Sequence, residues 1–208
     1  MIKFSNVEVS GWKSAIRGMR NPMNSWSLSD STETQLGDRD KELMLKLVGS
    51  GHPSHSKFRR MILVSMDIDA PLYWWKEYDT YKVGTVANSC STMHKIHEKE
   101  FVLDDFSHEH LVDDEVGEFL SDLEGTVVKL NRAREAFLRT KDKKYWWQMI
   151  QLLPTSYNQL RTVLLNYEVL ANILMNRKNH KLDEWRDFCD LILLLPHSEI
   201  IERSIDEK

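Results

Sequence analysis

The segment LPTSYNQLRTVLLNYEVLANILMNR, residues 153–177, constrains this chain more than any other. Pro154 suits the first position of a helix, where its missing N–H would be unpaired anyway. Leu160, Val163, Leu164, Tyr167, Leu170, Ala171 and Leu174 recur at helical spacing. That spacing predicts one long helix over residues 155–177 with a broad apolar face. Asn166 and Arg177 are eleven residues apart, almost three turns, so both leave one side of such a helix about 16 Å apart. An amide and a permanent cation on one line suit a long, polar, anionic ligand. They equally suit a solvated helix face.

A chain of 208 residues fits a single domain spanning 1–208 and is long enough to bury a core. The net charge of −4 leaves no global basic field of the kind that draws a protein to nucleic acid, so any nucleotide site needs a local group of cations. Two cysteines, Cys90 and Cys189, make no disulfide framework and fit a reducing compartment. No run approaches the roughly 20 apolar residues of a membrane span, and the first residues, MIKFSNVEVSGW, lack a signal-peptide core. The expectation is a cytoplasmic protein with no membrane partner.

Elsewhere, residues 2–9 alternate as a strand does, Trp12 to Arg20 reads as a helix ended by Asn21-Pro22, and residues 23–37 read as a loop. Asp38 can cap a helix to about Val48. Residues 58–68 read as a strand too continuously apolar for a half-exposed edge. Ala70-Pro71 opens a helix to about Tyr81, and residues 82–92 suit a ligand loop or a surface turn. Residues 113–139 carry apolar side chains at helical spacing and form the clearest helix. Short helices follow at 145–153 and 181–195, and Ser198 can cap a last turn. Of seven tryptophans, four stand in the pairs Trp74-Trp75 and Trp146-Trp147. Neighbours on a helix point about 100° apart, so one of each pair can enter the core while the other meets a second surface. A thick aromatic core is the alternative.

Three blocks of this chain resemble the flavin-dependent thymidylate synthases. Leu153-Pro154 followed by Asn166, Leu170 and Arg177 resembles that family's C-terminal motif. Ser14-Ala15-Ile16-Arg17-Gly18-Met19-Arg20 is similar to its early S-A-x-R-x-x-R. Gly51-His52, then an apolar strand and Ala70-Pro71, follows the family's order. The resemblance implies an α+β fold, a small mostly antiparallel sheet flanked by long helices, assembled as a homotetramer with shared sites. It implies FAD as cofactor, NADPH and methylene-tetrahydrofolate as co-substrates, and transfer of a one-carbon unit to C5 of a uridine nucleotide such as dUMP. By the same resemblance Arg177 contacts the pyrimidine and is the catalytic candidate, Ser91 faces the pyrimidine, and His52, Asn166 and Lys82 serve the cofactor. His52 would border the same cleft as Asn166 and Arg177.

The chain departs from the family's best-known signature, R-H-R followed by S-x-R-Y. The first part falls on Thr80, Tyr81 and Lys82, and the second near Ser91, Thr92, Met93 and His94. An arginine that helps hold the nucleotide phosphate in the family is Ile150 here. Neither Thr, Met nor Ile grips a phosphate as a guanidinium fork does. The densest cation group in the first half, HPSHSKFRR, offers Lys57, Arg59 and Arg60 as a phosphate grip or as a solvated loop. The alternative to an enzyme is therefore a catalytically degenerate nucleotide- or flavin-binding member of the same fold. The histidines and acids of residues 94–114 match no metal-ligand spacing, and no metal is expected.

Overall fold

The computed structural model describes residues 2–202. Four strands, β1 (Lys3–Ser10), β2 (Leu63–Pro71), β3 (Val86–Ser89) and β4 (Asn158–Asn166), form a small antiparallel sheet in the order β1-β2-β4-β3. Nine α-helices among the described residues accompany it: α1 (Trp12–Arg20), α2 (Asp38–Val48), α3 (Leu72–Tyr78), α4 (Thr92–Lys95), α5 (Phe119–Thr140), α6 (Lys143–Leu152), α7 (Tyr167–Arg177), α8 (Asp183–Leu193) and α9 (Glu199–Glu202). This is the α+β architecture that the sequence resemblance implies. Among the described residues no helix is long and apolar enough to cross a membrane.

The chain forms two compact units. The first holds, of the described residues, 2–4, Ile68–Thr80 and Asn88–Arg161. Its core joins Leu123, Val127, Leu130 and Ala133, one stripe of α5, to Met149 of α6 and to Ile96, Phe101 and Phe106. The sequence predicts α5 from residue 113, but the helix starts at Phe119. Asp113 Oδ1 accepts the backbone N–H groups of Leu120 and Ser121, so it caps the first turn from outside, and residues 113–118 fold back instead of extending the helix. Trp74 and Trp75 do not divide between two surfaces as the pairing suggests. Both are fully buried, and Trp75 donates its indole N–H to Gln159 O at 2.9 Å. The other pair does divide: Trp146 packs on the core and Trp147 is exposed.

The second unit holds, of the described residues, Ser5–Asp67, Tyr81–Ala87 and 162–202. Its centre is α7, whose Tyr167, Val169, Leu170, Ala171, Ile173 and Leu174 are buried. Around α7 pack the 3-10 turn Ser56–Met61, α8 and α9. The sequence assigns residues 58–61 to a strand. They instead form that turn, because Phe58 and Arg59 both point inward and Gly11 meets the Met61 carbonyl closely. A Cβ on Gly11 would lie 1.9 Å from Met61 O, and its φ of +89° independently favours glycine.

The largest correction falls on residues 155–177, which are not one helix. Residues 158–166 are strand β4 and only Tyr167–Arg177 is helical. Burial alternates along β4: Gln159, Val163 and Leu165 are buried, while Leu160 and Leu164 are exposed. The helical spacing that included Leu160 and Leu164 thus drew residues from the two faces of a strand into one stripe. Pairing with β2 on one side and β3 on the other satisfies the backbone of β4 and outweighs its local helical period.

Candidate functional site

In the second unit Asn166 and Arg177 stand on α7, and Lys82 lies in a loop bonded to it. Asn166 is its N-cap and is 8% exposed; its Oδ1 accepts the Val169 N–H at 3.0 Å. Its Nδ2 donates to Gly84 O at 3.4 Å. Arg177 is the last residue of α7, where a cation also complements the helix dipole. Its Nε donates to the Tyr81 hydroxyl at 3.0 Å, and its guanidinium carbon lies 4.7 Å from the Trp185 ring centroid and 5.7 Å from that of Tyr81. Tyr81 and Gly84 belong to one short loop, so both ends of α7 are tied to it. Lys82 lies in that loop, exposed, with no ion-pair partner among the described residues.

Gly84 holds φ at +79°, and a Cβ there would stand 2.9 Å from Asn166 Nδ2 and 3.2 Å from Val169 Cγ2. The glycine allows the loop to lie against the capped end of α7. The contacts of Gly84, Tyr81 and Trp185 with the two ends of α7 are not readable from sequence, although a Gly inside the small, polar stretch 82–92 and an aromatic eight residues beyond Arg177 stand in it.

His52 lies in an exposed loop of the same unit. Its Nδ1 pairs with Ser54 Oγ at 2.6 Å and its ring centroid lies 5.3 Å from that of His55. These contacts stay within its own loop. The nearby cation group is thinner than the sequence implies. Arg59 is buried, with Nε and Nη2 each 2.8 Å from Glu168 Oε2, so it holds a carboxylate of this chain and is not part of an open phosphate grip. Burial lowers the Arg59 pKa, and Glu168 opposes that shift. Lys57 and Arg60 remain exposed.

In the first unit Ser91 lines a cavity of about 460 Å³ together with Cys90, Lys95, Asp69, Asp104 and Tyr157. Ser91 caps α4 by accepting from His94 N. Gln159 Nε2 donates to Cys90 O at 2.9 Å and to Thr92 Oγ1 at 3.0 Å, which holds this end of the cavity in shape. Both lysines of the lining are already paired, Lys95 with Glu98 and Lys99 with Asp105. Four lining carboxylates against two ammonium groups leave the cavity net acidic. Burial first, then the charges of Asp105, Cys90 and Asp69, push the Tyr157 hydroxyl up to about 12. Among the described residues no group of three or more His, Cys, Asp or Glu side chains could hold a metal ion. Cys90 is an exposed free thiol; Cys189 is buried, and burial pushes its pKa up to about 11.

No protein-family model matches this chain, and no curated protein does. Solved structures do. A thymidylate synthase X from Helicobacter pylori with FAD and dUMP superposes with a TM-score of 0.74 at 18% identity, over 100% of both chains. A second structure of flavin-dependent thymidylate synthase from the same organism, complexed with FAD and dUMP, gives a TM-score of 0.71 at 19% identity, over 97% of this chain and 100% of that one. The chain has the fold of the flavin-dependent thymidylate synthases. Three positions where the resemblance leads one to expect arginine, Thr80, Met93 and Ile150, carry no cation. The Thr80 hydroxyl donates to Glu77 O at 2.7 Å as a local turn, Met93 is exposed, and Ile150 packs on the core of the first unit.

Proposed function

We propose that the protein is a flavin-dependent enzyme of the thymidylate synthase type, transferring a one-carbon unit to C5 of a uridine nucleotide, dUMP or a relative. The observation that carries this reading is the likeness, over the whole chain, to proteins solved with FAD and dUMP. The donor set of the second unit suits a flavin nucleotide. Lys57, Arg60 and Lys82 are exposed cations without ion-pair partners among the described residues, and such groups meet a pyrophosphate. The Asn166 carboxamide keeps a second N–H and a second lone pair beyond those used in capping α7. His52, Asn166 and Lys82 would hold the cofactor, which when bound supplies hydride and relays the one-carbon unit. Arg177, a permanent cation set over two aromatic rings, would stabilise negative charge as it develops on the pyrimidine. The Ser91 hydroxyl would hydrogen-bond the pyrimidine edge. NADPH and methylene-tetrahydrofolate complete the reaction as co-substrates, and the working form is a homotetramer with shared sites.

One observation favours a second reading. The cavity beside Ser91 is net acidic and Thr80, Met93 and Ile150 supply no cation, so the phosphate grip is weak. A catalytically degenerate nucleotide- or flavin-binding member of the fold is consistent with that. The deciding experiment supplies FAD, NADPH and methylene-tetrahydrofolate with dUMP tritiated at C5. Tritium release above a no-enzyme control is the expected result. Binding of FAD or dUMP without release favours the degenerate member.

A further inference from the structure

We propose that the hollow between α1 and residues 26–33 is a second ligand site, taking a flat aromatic ring that carries one anionic group. The hollow encloses about 560 Å³, within the range of small-molecule sites. It shares no residue with those assigned above to flavin or pyrimidine. Its first wall is one face of α1, where Lys13, Ile16, Arg17 and Arg20 recur at helical spacing. Its second wall is the chain from Trp26 to Glu33.

The frame is built, not incidental. Arg20 Nε meets Asp40 Oδ1 at 2.6 Å, with the two side chains 5% and 0% exposed. The Ser29 and Ser31 hydroxyls each donate to Asp40 Oδ2 at 2.6 Å. Asp30, between them, accepts the backbone N–H groups of Arg39 and Asp40. Three consecutive residues of the loop are therefore pinned to α2, and a ligand meets a preorganised surface.

Trp26 supplies the aromatic contact. Its indole N–H is held by Asn21 Oδ1 at 2.8 Å, and yet the residue is 51% exposed. A fixed, half-bare indole is a stacking platform. Ile16 adds an apolar floor. The charges select the rest of the ligand. Arg20 is neutralised by Asp40, and Lys13 pairs with Glu33. Arg17 is exposed and has no ion-pair partner among the described residues. One uncompensated guanidinium beside a stacking surface matches one phosphate or carboxylate on an aromatic ring. Nucleoside monophosphates and aromatic carboxylates share that chemistry.

The test follows the Trp26 indole N–H resonance in the full-length, 15N-labelled chain, identified by its loss in Trp26→Phe. Adenosine monophosphate and indole-3-acetate are titrated, with adenosine and inorganic phosphate as the ring-only and charge-only controls. The expected result is a saturable shift with at least one ring-plus-anion probe, weakened about tenfold or more by Arg17→Ala and less by Arg17→Lys, which keeps the charge but not the fork. The probe that binds tells phosphate from carboxylate. Both replaced side chains are exposed, and unchanged melting midpoints confirm that the variants are folded. No shift at millimolar probe, or equal binding by wild type and Arg17→Ala, overturns the proposal. A response to inorganic phosphate equal to that of the ring-bearing probes overturns the aromatic half of it.

Discussion

Asn166 and Arg177 stand at opposite ends of α7, and each is hydrogen-bonded to the same loop, Asn166 to Gly84 and Arg177 to Tyr81. The helix spans about 16 Å between them, while their loop partners are only three residues apart. The loop thus lies along the helix and carries Lys82 between the two anchors.

Asn166→Ala removes the N-cap of α7 and leaves the buried Val169 N–H without its acceptor. The expected loss is about 1–2 kcal/mol of unfolding free energy. Asn166→Ser, which keeps a capping oxygen, is expected to lose less. Urea denaturation of both variants checks the order.

Gly84→Ala places a Cβ against Asn166 and Val169 at a positive φ. Strain of about 1–3 kcal/mol is expected, because the clash is with a buried, hydrogen-bonded amide and the left-handed backbone disfavours alanine as well. Gly125 is the control: it lies in α5 with nothing within 4 Å of its would-be Cβ. Gly125→Ala is expected to stabilise by about 0.5–1 kcal/mol. Thermal melts of the two variants are expected to shift in opposite directions.

Arg59, buried, and Glu168, partly buried, form an ion pair within the second unit. Arg59→Ala strands a carboxylate and is expected to cost about 3–5 kcal/mol, whereas Arg59→Met with Glu168→Leu is expected to come close to wild type. A double-mutant cycle in urea reads both. The pair also shows why the cation group at residues 57–60 misleads in sequence. Charge density is visible there, but the partner that cancels Arg59 stands 109 residues away in the chain.

That distinction separates what the chain reveals in one dimension from what it does not. The bounds of α1 and α2 are legible in the sequence, but the cap of α2 is not: Gly37 is its N-cap, Asp38 is its first residue, and Met44 and Val48 are its buried apolar side chains. The β4–α7 boundary was not legible, since Leu160 and Leu164 imitate a helical stripe while facing outward from a strand. The capping role of Asn166 and the aromatic bed of Arg177 depend on Val169, Tyr81 and Trp185 meeting in three dimensions. Residue types announced the ends of α7 as places of interest, but their partners became known only from the fold.

Acid is expected to weaken the frame around α1. Burial pushes the Asp40 pKa up, but the hydroxyls of Ser29 and Ser31 and the Arg20 guanidinium outweigh that and hold it below the usual carboxylate value of 3.8. A depressed folded-state pKa stabilises the protein above the unfolded value and loses that contribution as pH falls through the folded one. Asp40→Asn is therefore expected to be about 3–5 kcal/mol less stable than wild type near neutrality. That gap should close below about pH 4, where the wild-type carboxyl begins to protonate in the unfolded chain. Denaturation curves collected across that range report it.

The most direct measurement is the absorbance of the purified protein, first as isolated and then titrated with FAD. The flavin reading predicts yellow protein or saturable uptake with flavin absorption bands, weakened when Lys82 is replaced by alanine. Colourless protein that takes up no FAD would contradict it, and would leave the thymidylate synthase fold without its chemistry.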